Sequence, residues 1–197
     1  MKKKILNAAI KLIKQKGITN SLLEEVANNL DITKEEIDLH YREGVEGLLL
    51  EYNAQLNDKM HKKVEITNLR THEKIEAMLL ARFAIADKSV ARHIYDYLKH
   101  PPRLKLAAHM AYSTTVYIWR LAGDIATDHN FYTKRLILGH IYRRSLEFWL
   151  ENNDDQALQS FLNAELQKAA NIGKYKKKLG DIIEQAKIRI EAFNAKF

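Results

Sequence analysis

The stretch I-L-N-A-A-I-K-L-I-K-Q-K-G, residues 5–17, sets apolar side chains at Ile5, Ala8, Ala9, Leu12 and Ile13. Steps of three and four mark one face of an α-helix, because a turn takes 3.6 residues, and Gly17 then stops it. Leu22, Leu23, Val26, Ala27 and Leu30 repeat the rhythm over a shorter span. Thr33 followed by Glu36 reads as a capping box opening a third helix, from which Ile37 and Tyr41 point inward before Gly44 ends the unit. Three short helices with a tight second-to-third turn are therefore expected over residues 1–44.

The same periodicity continues outward. A longer helix passes through Leu48, Leu49, Tyr52, Leu56 and Met60, and another starts near Thr71 with Ile75, Met78, Leu79 and Phe83 on one face. A further one carries Val90, Ile94, Tyr97 and Leu98. Pro101 and Pro102 break the chain there, since each lacks a backbone donor and restricts the residue before it. Residues 104–126 and 132–150 read as two long partner helices, and Leu158, Phe161, Leu162, Leu166 and Ala170 make a ninth. No stretch alternates with a period of two, and seven Gly and two Pro in 197 residues leave few breakers, so the chain reads as all-α.

Composition narrows the function. No run of eighteen apolar residues exists to span a bilayer, and Lys11 and Lys14 interrupt what a signal peptide would need as an apolar core. The absence of Cys excludes disulfides and thiolate metal sites. The formal charge of +7 suits nucleic acid or an anionic membrane surface, and clusters at Lys2, Lys3, Lys4, Lys11, Lys14 and Lys16 and again at Lys174, Lys176, Lys177 and Lys178. The di-iron spacing Glu-x-x-His is missed by one residue at Glu36–His40, as it is from Asp96 to His100. His72-Glu73 lacks the second His of a zinc helix, and there is no phosphate loop or nucleophile elbow. No catalytic centre, metal site or cofactor is expected.

Three short helices ahead of a larger helical domain resemble the TetR regulators, with residues 5–17 and L-L-E-E-V-A-N-N-L-D-I, residues 22–32, resembling their first two helices. In that family the third helix enters the major groove. Here it is T-K-E-E-I-D-L-H-Y, with Glu35, Glu36 and Asp38 against Lys34, and no Arg, Asn or Gln for base edges. The expectation is a helix-turn-helix scaffold that has lost DNA binding. The alternative is a TetR-type repressor with a hydrophobic effector.

A second resemblance rests on V-Y-I-W-R-L-A-G-D-I-A-T-D-H-N-F-Y-T-K-R-L-I-L, residues 116–138, followed by W-L-E-N-N-D-D from Trp149. Its spaced members Trp119, Ala122, Gly123, Asp124, Thr127, Asp128, Asn130, Tyr132, Thr133 and Arg135 resemble the motif of the coenzyme Q "protein nine" family. Physically, Asp128 and Asn130 suit the orphan N–H groups at a helix start, Thr127 and Thr133 suit local caps, and Asp124 and Arg135 suit a pair across the corner. Phe131 and Tyr132 lie about 100° apart on a helix, so one of them faces solvent.

The resemblance implies a lipid-binding accessory protein of ubiquinone biosynthesis with a TetR-like fold. It implies that Asp128, Phe131 and Tyr132 dock a di-iron demethoxyubiquinone hydroxylase. The small residues Ala107, Ala108, Ala111, Ser113, Thr114 and Thr115 allow either close packing or room for a ligand; the resemblance implies an isoprenoid quinone precursor there, with Met78, Phe83, Ile94, Leu98, Ala111, Ile118, Ile137 and Ile141 as candidate lining. Beyond the basic run, Leu179, Ile182, Ile183, Ala186, Ile190 and Phe193 fall on one helical face. Such a helix suits an anionic membrane surface or packing on the bundle or on a second copy. The resemblance favours membrane contact through Lys176, Lys177, Lys178, Ile182, Ile183, Ile190 and Phe193. The expected organisation is a degenerate helix-turn-helix-like unit over 1–44, a lipid-binding helical domain over 45–173 and an amphipathic helix over 174–197. A non-enzymatic homodimer is expected, cytoplasmic or in the mitochondrial matrix and peripheral to the inner membrane.

Overall fold

The computed structural model describes residues 1–124 and 129–171, and the side chains of all of these but His129 and Asn130. The α-helices are α1 (Lys2–Lys16), α2 (Leu22–Leu30), α3 (Lys34–His40), α4 (Gly44–Lys63), α5 (Thr71–Ile85), α6 (Lys88–Leu98), α7 (Leu104–Leu121) and α8 (His129–Glu151), with a 3-10 turn at Pro101–Arg103. Residues 155–171 form a further helix, α9, up to the end of the described residues. No strand occurs among the described residues.

Local chemistry sets these boundaries. At the end of α1, Gly17 takes φ +79° while its N–H bonds to the Ile13 carbonyl, and His93 Nδ1 of α6 stands 3.1 Å from where a β-carbon would sit. A side chain there would be strained by the backbone and crowded by the neighbouring helix. Asp31 ends α2 in the left-handed region at φ +51°, which sets the tight turn into α3. The Thr33 hydroxyl accepts from the Glu36 N–H, and the Glu36 carboxylate accepts from the Thr33 N–H, completing the capping box. At α6, Asp87 accepts from the N–H groups of Ser89 and Val90. Its carboxylate also receives Lys14 of α1 at 2.6 Å, and that bond, above all, holds its pKa below the usual carboxylate value.

Two apolar cores result. The first gathers the inward faces of α1, α2 and α3 with Leu48 and Leu49 of α4, Val90, Ile94 and Leu98 of α6, and Leu106 and Met110 of α7. The second is built from Met60, Ile75, Met78, Leu79, Phe83, Ile118, Leu138 and Ile141, closed by Trp149, Leu150, Leu158 and Leu162. α9 is held to α8 by Phe148 stacked on Phe161, with ring centroids 4.4 Å apart, and by Arg144 paired with Glu165 at 2.9 Å. α4 and α7 run through both cores and so tie the N-terminal unit to the rest.

One expected helix is shorter than its periodicity suggests. α7 ends at Leu121 rather than continuing to Ala126. Gly123 turns to φ +89°, its N–H donates to the Arg120 carbonyl, and the Asp124 N–H donates to the Trp119 carbonyl. These are the two bonds of a Schellman ending, which needs a left-handed residue where Gly123 stands. Gly123→Ala is expected to cost about 1–2 kcal/mol, although the space around it is open, because the strain lies in the backbone. Urea denaturation at constant m-value measures this; a loss under 0.5 kcal/mol would mean the corner relaxes freely.

Candidate functional site: an apolar cavity and a polar corner

The small side chains of α7 do leave space. Between α4, α5, α6, α7 and α8 lies a cavity of about 520 Å³, lined chiefly by apolar groups. Ala107, Ala108 and Ala111 form its α7 wall, and Ile94 and Leu98 of α6 face them. Phe83 and Trp149, with ring centroids 5.4 Å apart, are buried aromatic members of its lining. Leu104, which is 53% exposed, and the side chains of Lys99 and Arg143 lie at the rim.

The structure brings Phe83, Ile94, Leu98 and Ala111 of the expected lining together around this space. Met78 and Ile118 are fully buried in the second core, Ile141 is buried with them and Ile137 packs against that core, so none of these four lines the cavity. All sit on inward faces, but at levels of the bundle where neighbours fill the space.

Sequence periodicity missed the polar members. Arg82 of α5 is 3% exposed and lines the cavity with Asn53 and Tyr142. Its guanidinium donates to Asn57 Oδ1 at 2.6 Å, to Asn53 Oδ1 at 2.5 Å and, through Nε, to the Tyr142 hydroxyl at 2.9 Å. Asn53 Nδ2 in turn donates to the Met110 carbonyl at 3.2 Å and the Ser113 hydroxyl at 3.0 Å. This network links α4, α5, α7 and α8. Tyr52 also lines the cavity, and its phenol is pushed up to about 12, first by burial and then by the charge of Asp87. The sequence signal was present: Arg82 follows Met78 by four residues and Leu79 by three, in phase with the buried stripe.

The corner after α7 is built on a buried ion pair. Arg135 Nη1 lies 3.0 Å from Asp124 Oδ2, and the two side chains are 3% and 5% exposed. Lys134 adds a second cation at 2.7 Å. Arg135 also donates to the Phe131 carbonyl at 2.8 Å, and its guanidinium carbon stands 3.3 Å from the Phe131 ring centroid. Phe131 is thus half-buried beneath Arg135, whereas Tyr132 is 61% exposed, its ring edge-on to Phe131. Leu136, one turn along α8 from Tyr132, is 71% exposed and widens this patch; no sequence argument had singled it out. Thr127, Asp128 and the side chain of Asn130 lie outside the described residues, as do Lys176, Lys177, Lys178, Ile182, Ile183, Ile190 and Phe193.

On α3, Glu35, Glu36 and Asp38 are exposed. Among the described residues no group of three or more His, Asp or Glu stands together to hold a metal ion, and no helix is long and apolar enough to cross a membrane.

Residues 104–173, which carry the α7 wall, the corner, α8 and α9, match the COQ9 family model. The mitochondrial ubiquinone biosynthesis protein COQ9 of Rattus norvegicus is 26% identical over 189 residues, covering 86% of this chain and 59% of that protein. The Homo sapiens COQ9 is 26% identical over 186 residues, 86% of this chain and 58% of its own length. The chain therefore spans about three-fifths of the length of the curated relatives it matches. In structure, a TetR transcriptional regulator from Nitrosomonas europaea superposes with a TM-score of 0.65 at 20% identity, over 86% of this chain and 98% of that one. The fold is TetR-like, and in sequence the chain is similar to the COQ9 proteins, over residues 104–173 by the family model and over most of its length by identity.

Proposed function

We propose that the chain is an accessory protein of ubiquinone biosynthesis that shelters an isoprenoid quinone precursor and presents it to a di-iron demethoxyubiquinone hydroxylase. The observation that carries this reading is the cavity itself, about 520 Å³ of largely apolar space beneath the helix where the match to the COQ9 family model begins. That volume lies within the about 300–1,000 Å³ usual for small-molecule sites. It suits a ring and the first units of an isoprenoid tail. Each tail CH₂ taken from water contributes about 0.8 kcal/mol. The rest of a long tail leaves past Leu104, toward the bilayer. The C-terminal residues 174–197 would meet that bilayer with their basic run and apolar face. The chain does no chemistry of its own on the quinone.

The corner supplies the docking surface. Tyr132 and Leu136 form an exposed apolar pair beside the rigid Asp124–Arg135 bridge, and aromatic anchors beside polar groups are common centres of interfaces. Tyr132→Ala combined with Leu136→Asp is expected to leave the thermal transition within about 2 °C of the parent, surface changes being near neutral. It is expected to abolish co-purification with the hydroxylase. Phe131 is a poor probe, because it packs under Arg135. Undiminished co-purification of the double variant removes the docking surface from this reading.

Native mass spectrometry of the purified chain tests the cavity directly: a prenylated quinone or related lipid is expected, and repeated recovery of empty protein counts against it. DNA binding is disfavoured by the exposed carboxylates of α3, which would face phosphate. A salt-sensitive gel shift would revive the repressor alternative.

A further inference from the structure

Among the described residues, Arg82 is a cation with no anion beside it. An arginine side chain keeps its charge inside proteins, and burying a charge costs heavily unless an opposite charge and hydrogen bonds meet it. Among the described residues Arg82 has hydrogen bonds only to neutral groups, two asparagine carbonyls and a tyrosine hydroxyl, and no carboxylate in ion-pair range. The other charged groups on the cavity wall are neutralised. Lys99 meets Asp96 at 2.7 Å, and Arg143 meets Glu147 at 2.6 Å. Glu147, the carboxylate on that wall, also accepts from the Tyr95 hydroxyl at 2.8 Å. The net charge facing the inner part of the cavity is therefore positive, and it sits where the dielectric is low and salt screens least. Tyr52 on the same wall is a phenol with no hydrogen-bond partner among the described residues, free to donate.

We propose that Arg82, with Asn53 and Tyr142, forms the head-group end of the cavity, and that the ligand is an amphiphile whose head carries an anionic oxygen, a carboxylate or a phosphate. The guanidinium, with five N–H donors, retains hydrogens beyond those given to Asn53, Asn57 and Tyr142, and its planar fork matches a two-oxygen anion. The tail then lies along Ala107, Ala108 and Ala111 toward Leu104 at the rim. The assignment rests on the reading that the cavity holds lipid, and goes beyond it by stating which end enters and what charge it bears. It needs only the lipid cavity of that reading and names a head other than the neutral quinone ring, so the test below separates the two head groups.

The test compares three probes of one chain length, laurate, dodecyl phosphate and methyl laurate, the anions below their micelle concentrations and the ester below its solubility limit. Binding to the full chain is followed by titration calorimetry and by the fluorescence of Trp149 on the cavity wall. One or both anions are expected to bind the unaltered protein at least about tenfold more tightly than the ester, as a charge-assisted pair of hydrogen bonds implies. Whichever anion wins names the source of the head group. Arg82→Met, close in length and apolar, is expected to reduce the preference to under about threefold while ester binding persists, and Arg82→Lys to restore part of it. Equal affinity of acid, phosphate and ester for the unaltered protein overturns the head-group assignment yet leaves a lipid cavity. So does a preference that survives Arg82→Met and vanishes in Lys99→Met/Arg143→Met, which would place the head at the rim. Failure of all three probes to bind overturns the lipid reading along with it. The comparison on the unaltered protein stands even if an Arg82 variant does not fold.

Discussion

Asp124→Ala is expected to destabilise the protein by about 3–5 kcal/mol, the usual cost of leaving half of a buried ion pair behind. Arg135 is almost fully enclosed, and among the described residues its Nε has no hydrogen-bond partner, so the guanidinium is held by Asp124 and the Phe131 carbonyl. Removing the carboxylate strands the charge between α7 and α8 and frees Lys134 from the same anchor. At roughly 2–4 °C per kcal/mol for a chain of this size, the midpoint would fall by about 6–20 °C. Asp124→Asn keeps the shape and one acceptor, and should lose less. Co-purification with the hydroxylase should fall for both, because Tyr132 and Leu136 stand on the helix that this pair orients. A loss of under 1 kcal/mol for the alanine variant would show that water reaches Arg135 and that the corner is not held by charge.

The elements were legible because apolar spacing marks a helix face whatever that face touches. Ile5, Leu12 and Ile13 had to turn inward together, Gly17 had to stop α1, and the Thr33–Glu36 box had to open α3. Depth was not legible. Leu79 and Phe83, four residues apart, share a face of α5, yet Leu79 packs in the closed core and Phe83 borders a void. That difference depends on which partner helix carries alanine at that level, and periodicity within one helix cannot encode it. The early end of α7 was written in Gly123, but a glycine within an apolar run reads equally as tolerated helix until its φ is known. Arg82, Asn53 and Asn57 were visible as polar residues in phase with buried stripes. In-phase polar residues fit a solvated edge as well as an interior network, and only the packing of α4 against α5 and α7 decides for the interior. In the corner, the residue types announced the Asp124–Arg135 bridge. Leu136 was passed over because leucine on a long helix is ordinarily core, whereas here it faces solvent.

Ala111→Phe is the substitution that separates a hollow bundle from a tightly packed one. If the cavity beside Ala111 is working space for a tail, a phenyl ring there displaces about four CH₂ groups of ligand. At about 0.8 kcal/mol each this removes roughly 3 kcal/mol, or more than a hundredfold in affinity. The protein itself should be unharmed or slightly more stable, since the ring covers apolar wall from Ile94 and Leu98 that is otherwise wetted when no lipid is bound. If Ala111 is instead small so that α6 and α8 can approach α7, the same ring is an overpacking substitution, and such changes cost about 1–3 kcal/mol. The two measurements together decide. Binding lost with stability kept places the tail against α7. Stability lost by more than about 2 kcal/mol, or binding kept, places it elsewhere. The helix that carries Ala111 also carries, at its far end, the Schellman turn and Asp124. A tail seated along α7 would therefore lie on the same rigid rod that positions the docking corner, and that shared rod is the physical route by which a filled cavity and a bound partner enzyme can be brought into register.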